Sequence, residues 1–187
     1  MEIYTISPRS WDSNCYIIVS ESADGKKHAA VIDPSASVEK IAAVIADADA
    51  SLDFIVLTHG HFDHVLNADE LRDRSAAPLF IHESDAEMLG DGEKNAYSFF
   101  FGHNKVWRDA DRLLHHGDEL ALGNEIIKII STPGHSKGSI CLLCDGFILT
   151  GDTLFADGFG RYDLWGGDFE SLKRSIASLR ELDRGIL

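Results

Sequence analysis

Thr58-His59-Gly60-His61-Phe62-Asp63-His64, THGHFDH, sets three histidines and an aspartate within positions 59–64. The stretch follows directly on Phe54-Ile55-Val56-Leu57, an apolar run that reads as a short buried strand. Imidazole and carboxylate are the ligands suited to Zn²⁺ and to other borderline first-row metals. A lone histidine is more often a surface or hydrogen-bonded residue, but four donors crowded at one strand end point to a metal. His59 and His61, two apart, can turn to one side of the loop, with Asp63 and His64 one step further on.

Two distant segments repeat the arrangement. Thr132-Pro133-Gly134-His135-Ser136 follows an expected strand and holds His135 in a rigid turn. Gly151-Asp152-Thr153-Leu154-Phe155 follows another and puts Asp152 in the same kind of position. Ligands on loops at strand ends are how a rigid scaffold presents a preorganised site.

Outward from these motifs, apolar and β-branched runs predict strands over 2–6, 15–20, 28–33 and 79–81. Ser37 is placed to cap a helix carrying Val38, Ile41 and Ile45, and 67–74 reads as a second helix. The segment 91–112 is irregular; Tyr97, Phe99, Phe100, Phe101 and Trp107 are expected to anchor it in the core, the alternative being a cover over a binding site. Strands over 119–122, 125–131, 139–144 and 147–150 alternate with turns at Gly123, Gly138 and Gly146. A last helix from 168 carries Phe169, Leu172, Ile176, Leu179 and Leu182 on one face, with Gly185 placed to end it. Strands in two halves, each followed by helices, predict two mixed sheets packed together with helices outside.

With 187 residues the chain is expected to form one domain. A net charge of −14, from 17 basic and 31 acidic residues, disfavours nucleic acid as a partner. No secretory leader and no apolar run of membrane-spanning length is visible, so the expected setting is cytoplasmic, without a membrane partner. Cys141 and Cys144 invite a metal or redox reading, but three positions apart on a strand they point to opposite faces, so both are read as buried hydrophobes. No Gly-x-Ser-x-Gly nucleophile elbow occurs.

THGHFDH, TPGHS and GDTLF, in this order and spacing, resemble the motifs of the metallo-β-lactamase superfamily, and the likeness spans nearly the whole chain. It is closest to the glyoxalase II (hydroxyacylglutathione hydrolase) group, in particular its short single-domain bacterial members, through the stretch 160–168, GRYDLWGGD. The resemblance implies an α/β fold, an αβ/βα four-layer sandwich of two mixed sheets flanked by helices, with a metal site at one edge. Carried over by residue, His59, His61 and His135 bind a first metal, Asp63 and His64 a second, and Asp152 bridges both. Two zinc ions are implied, iron or manganese being alternatives. A hydroxide held between two metals can attack the carbonyl of a small thioester such as S-lactoylglutathione, with Asp63 orienting it. The same superfamily holds a persulfide dioxygenase branch with one iron, which is the runner-up, and a non-catalytic member with a weakened second site is the third possibility.

One feature departs from the family pattern. That pattern has a further histidine after the final helix, whereas no histidine follows His135, and the sequence stops at Gly185-Ile186-Leu187 where an apolar strand would begin. The expectation is a chain shortened at its C-terminus, with Asp63, His64 and Asp152 left to the second site. Asp33 is expected to hydrogen-bond behind a ligand. His28, His82, His103, His115 and His116 have no motif partners, and the 115–116 pair is expected at the surface.

Overall fold

The computed structural model describes residues 1–7 and 13–182. The expected helix stop at Gly185 and the apolar start at 185–187 lie outside them. Strands β1 (Glu2–Ile6), β2 (Cys15–Glu21) and β3 (Lys27–Ile32) lead into helix α1 (Val38–Asp47) and strand β4 (Ala50–Val56). Short helix α2 (Phe62–Val65), helix α3 (Ala68–Ser75), strand β5 (Leu79–His82), and short helices α4 (Ala86–Leu89) and α5 (Tyr97–Phe101) follow. Strands β6 (Arg112–Leu114), β7 (Glu119–Leu122), β8 (Glu125–Ser131), β9 (Ile140–Cys144) and β10 (Phe147–Leu149) precede the last helix, α6 (Phe169–Leu179).

The first sheet has the order β1-β2-β3-β4-β5-β6, antiparallel through β3 and parallel from β3 to β6. The second has the order β10-β9-β8-β7 and is antiparallel throughout the described residues. Its strands are joined by tight turns or by the TPGHS loop, and short connections return a chain antiparallel.

Period-two alternation sorts side chains between layers. Ile18, Ala30, Ile32, Phe54 and Val56 face the second sheet and meet Leu120, Leu122, Ile127, Ile129, Leu142 and Leu149 in the core between the sheets. Their neighbours Ile17, Val19, Ala29, Val31, Ile55 and Leu57 face the other way, onto Val38 and Ile41 of α1 and Leu71 of α3. A strand buried on both faces must read as continuously apolar, which is why Phe54-Ile55-Val56-Leu57 shows no polar alternation.

Cys144 lies in the inter-sheet core, whereas Cys141 faces the opposite side against Thr132 Oγ1 at 3.4 Å. Burial pushes the Cys141 thiol up to about 11 and that of Cys144 to about 12, so both stay protonated near neutral pH, as buried hydrophobes do. Helix α6 begins at Asp168, whose carboxylate accepts from Ser171 N, and Leu172 and Leu179 are buried. Phe169 is not on that buried face; it is exposed.

The anchoring expected of 91–112 holds only in part. Trp107 and Ala96 are buried and Tyr97 packs on the core, but Phe99, Phe100 and Phe101 are exposed. Consecutive residues of helix α5 lie about 100° apart around its axis, so three rings in a row cannot all turn inward.

Candidate metal centre

Strand β4 ends just before THGHFDH, β8 just before TPGHS and β10 just before GDTLF, so all three motifs emerge at one end of the paired sheets. Ile140 N donates to Thr58 O at 2.9 Å and Gly160 N to Asp152 O at 3.0 Å, tying the loops together. His135 Nε2 then lies 2.8 Å from His61 Nδ1 and 3.1 Å from His59 Nε2, though 76 positions separate it from His59 in the chain. His59, His61 and His135 form one set whose ligand atoms all lie within 4.8 Å of one another; His59, His64 and Asp152 form another.

Asp152 splits its carboxylate between them. Oδ1 is 3.3 Å from His64 Nε2, and Oδ2 is 3.6 Å from His135 Nε2. Asp63 stands at the margin, 3.7 Å from His64 Nε2 and in neither converging set. Five of the six expected residues are thus brought to one point, with the sixth beside it. His82 is elsewhere, 3.0 Å from Ser131 Oγ, and His115 and His116 are exposed.

The rings are oriented from behind. Asp33 accepts Thr58 N and Thr58 Oγ1 at 2.7 Å each, and His64 Nδ1 at 2.8 Å. Thr58 Oγ1, donating to Asp33, can only accept from His59 Nδ1, at 3.2 Å. His135 Nδ1 donates to Arg161 O at 2.6 Å. In His59 and His135 the bond fixes a tautomer and turns the far nitrogen's lone pair into the centre, and in His64 it aims Nε2 there. Gly160 makes the last contact possible, since a Cβ there would overlap Asp152 O and press on His135 Nδ1.

Asp85 had no signal in the sequence; in Glu83-Ser84-Asp85 it looks like any solvated acid. It is fully buried, and accepts Gly60 N at 3.1 Å, Gly138 N at 2.6 Å and Ser136 Oγ at 2.6 Å. One carboxylate therefore ties the His59–His61 loop to the His135 loop.

Burial, reinforced by the neighbouring rings, pushes His59 and His61 well below the imidazole value of 6.5, and burial likewise lowers His135. On His64 burial acts downward too, but Asp33, Asp152 and Asp63 outweigh it and hold the ring well above 6.5. Burial raises Asp63. Asp152 is likewise pushed up by burial, but His64 and His135 overcome this and bring it to about 2. The neutral nitrogens of His59, His61 and His135, crowded to hydrogen-bond distance beside the Asp152 carboxylate, call for a cation between them. His64 Nε2 and His61 Nε2 are buried without a hydrogen-bond partner among the described residues. The donor set fits a metal ion of the zinc or iron type.

Two outcomes follow from this wiring. Asp33→Asn is expected to weaken metal binding about 10–100-fold by loosening His64 and His59, as read by competition with a chelator. Unchanged affinity would remove Asp33 from the site's support. The second concerns pH in the metal-free protein. Below 6.5 the unfolded chain protonates all four rings while the fold keeps three neutral, so stability falls as pH drops. Above 6.5 only folded His64 keeps its proton, so that contribution is lost as pH rises through its folded value. From these rings a stability maximum near 6.5 is expected, moving upward once a metal displaces the His64 proton. Thermal midpoints over roughly pH 5 to 9, with and without metal, check this.

With this geometry in hand, comparison with known proteins decides the family. The sequence pattern of the metallo-β-lactamase superfamily matches residues 9–185. The chain belongs to that superfamily. The hydroxyacylglutathione hydrolase GloC of Haemophilus influenzae is 32% identical over 184 residues, 94% of this chain and 82% of its own. Among solved structures, the B3 metallo-β-lactamase BLEG-1 superposes with a TM-score of 0.84 at 31% identity, covering 94% of this chain and 84% of that one. TTHA1623 in a di-iron-bound form gives 0.77 at 26% identity, covering 98% and 87%. The superfamily is one of metal-dependent hydrolases, and the four-layer fold agrees with it. Among the described residues no helix is long and apolar enough to cross a membrane.

Proposed function

We propose that this chain, folded as a single domain, is a metal-dependent hydrolase of small thioesters of the S-lactoylglutathione kind, using zinc. The observation that carries the reading is the split carboxylate of Asp152, one oxygen toward His64 and the other toward His135. A carboxylate so placed serves two ions at once. His59, His61 and His135 would hold the first, and His64 with Asp63 the second. Bound there, the metals lower the pKa of coordinated water and act as Lewis acids on the substrate carbonyl.

The protein's own part is orientation and proton handling. Asp33, Thr58 and Arg161 O orient His64, His59 and His135, which limits reorganisation during reaction. Asp63, raised by burial and 27% exposed at its side chain, sits where it can accept a proton from an attacking water. Overall a C–O bond forms, the C–S bond breaks, and water's two protons are shared between the thiol released and the medium as the acid ionises. The thioester identity is supported by the GRYDLWGGD stretch and by the likeness to GloC.

The peripheral place of Asp63 favours one alternative: a single iron on the inner donors, as in an oxygen-using oxidoreductase. The test is metal content by elemental analysis of untagged protein, joined to hydrolysis of S-lactoylglutathione and of a β-lactam. About two metal ions per chain with thioester turnover supports the proposal. One iron with oxygen consumption, or β-lactam cleavage alone, sinks it.

A further inference from the structure

Six of the ten phenylalanines are exposed, and they fall in two segments. Phe99, Phe100 and Phe101 form α5, with Phe99 70% exposed. Phe155, Phe159 and Phe169 flank the GRYDLWGGD stretch, 39–47% exposed. The other four are buried or half-buried. Ile3, Val106, Leu113 and Ile126 are exposed as well, but they are scattered, whereas the six rings are gathered in two segments.

Both segments border the metal centre. Phe100 walls a cavity of about 100 Å³ shared with His61, His135 and Asp152. Phe155 walls a cleft of about 540 Å³ shared with Asp63, His64 and Asp152. Phe62, between His61 and Asp63, meets Phe100 at a tilt and Phe101 edge-on, with ring centroids 5.4 Å apart in each pair, and holds the first segment against the ligand loop. Each cavity beside the donors therefore carries one of these exposed rings in its wall, Phe100 in one and Phe155 in the other.

We infer that this rim is a specificity-determining subsite for an apolar group attached to the substrate beside the hydrolysed carbonyl. The inference rests on the hydrolase reading above and narrows its substrate class to thioesters bearing an aliphatic or aromatic group. A substrate occupant is preferred to a second copy of the chain because Phe100 and Phe155 wall the same cavities as the donors. The apolar group can belong to the acyl half or to the thiol half; the chemistry is shared, and the test separates them.

Zinc-reconstituted protein would be assayed with two thioester series. One varies the acyl group from acetyl to octanoyl on N-acetylcysteamine. The other varies the thiol from ethanethiol to octanethiol under a constant acetyl group. One series is expected to gain up to about fourfold in kcat/KM for each methylene buried, mainly through KM, until the cavity is full. Phe100→Ala, and separately Phe155→Ala, should flatten that gain. Hydrolysis of S-lactoylglutathione with no length dependence in either series overturns the subsite and leaves the thioesterase standing. If no thioester turns over, the thioesterase reading fails instead, and calorimetric titration of alkanoates and alkanethiols decides the rim. Tighter binding with length, lost in Phe100→Ala, supports it, and length-independent binding overturns it. A dimer by sedimentation that Phe99→Ala dissociates also overturns it, because a second copy then covers the rings.

Discussion

Asp152→Ala is expected to lower hydrolysis by at least about 10³-fold and to leave at most one metal ion per chain. The side chain faces His64 through one oxygen and His135 through the other, so its loss breaks the second ligand set and takes a carboxylate from beside the first. Lewis-acid and nucleophile assistance by bound metal is worth several kcal/mol, and each ~1.4 kcal/mol is tenfold in rate. The same substitution removes a carboxylate that helps hold His64 protonated in the metal-free protein, so the alkaline side of its stability curve should become shallower. Asp152→Asn keeps the shape but not the charge and should retain more metal than Asp152→Ala while still losing most activity. Elemental analysis beside steady-state kinetics reads both quantities. Two ions and a wild-type rate in Asp152→Ala would falsify the bridging role.

Asp85→Ala should have the second largest effect, and through a different route. It touches no expected ligand side chain, yet it leaves two backbone N–H groups and a hydroxyl without their acceptor in a fully buried place. An unsatisfied buried donor costs about 1–3 kcal/mol, so a loss of several kcal/mol is expected, moderated where Ser136 turns to Ser139. Freed from the common carboxylate, the loops carrying His59–His61 and His135 should bind metal about 10–100-fold more weakly. Asp85→Asn, which keeps one acceptor oxygen, separates the two effects, restoring part of the stability but less of the metal affinity. Denaturant melts of the metal-free protein, set beside metal titrations, test this. Normal metal affinity in a destabilised Asp85→Ala would reduce Asp85 to a purely structural residue.

Much of the fold was legible because each strand obeys a local rule. The apolar run 54–57 predicts a short buried strand and 125–131 another strand, and both form. Short elements were not legible. Strand β6, Arg112–Leu114, has no periodicity of its own and exists because β5 offers it a parallel edge. Exposure of Phe99, Phe100 and Phe101 could not be read either, since sequence gives apolarity but not whether a partner surface is within reach.

What the sequence determined by itself is the ligand chemistry: four donors packed into 59–64, with His135 and Asp152 on two other expected strand ends. Spacing of two to five residues already confines the THGHFDH donors to one loop. Only the tertiary structure decided which atoms converge. His59 and His135 belong to loops of different sheets, and their nitrogens meet at 3.1 Å because the inter-sheet core sets the two strand ends side by side. It also decided that Asp85 is a buried clamp rather than a surface acid, and that Asp63 stands beside the converging sets rather than within them. Those outcomes depend on distances between segments far apart in the chain, which packing of the two sheets fixes and no local pattern encodes.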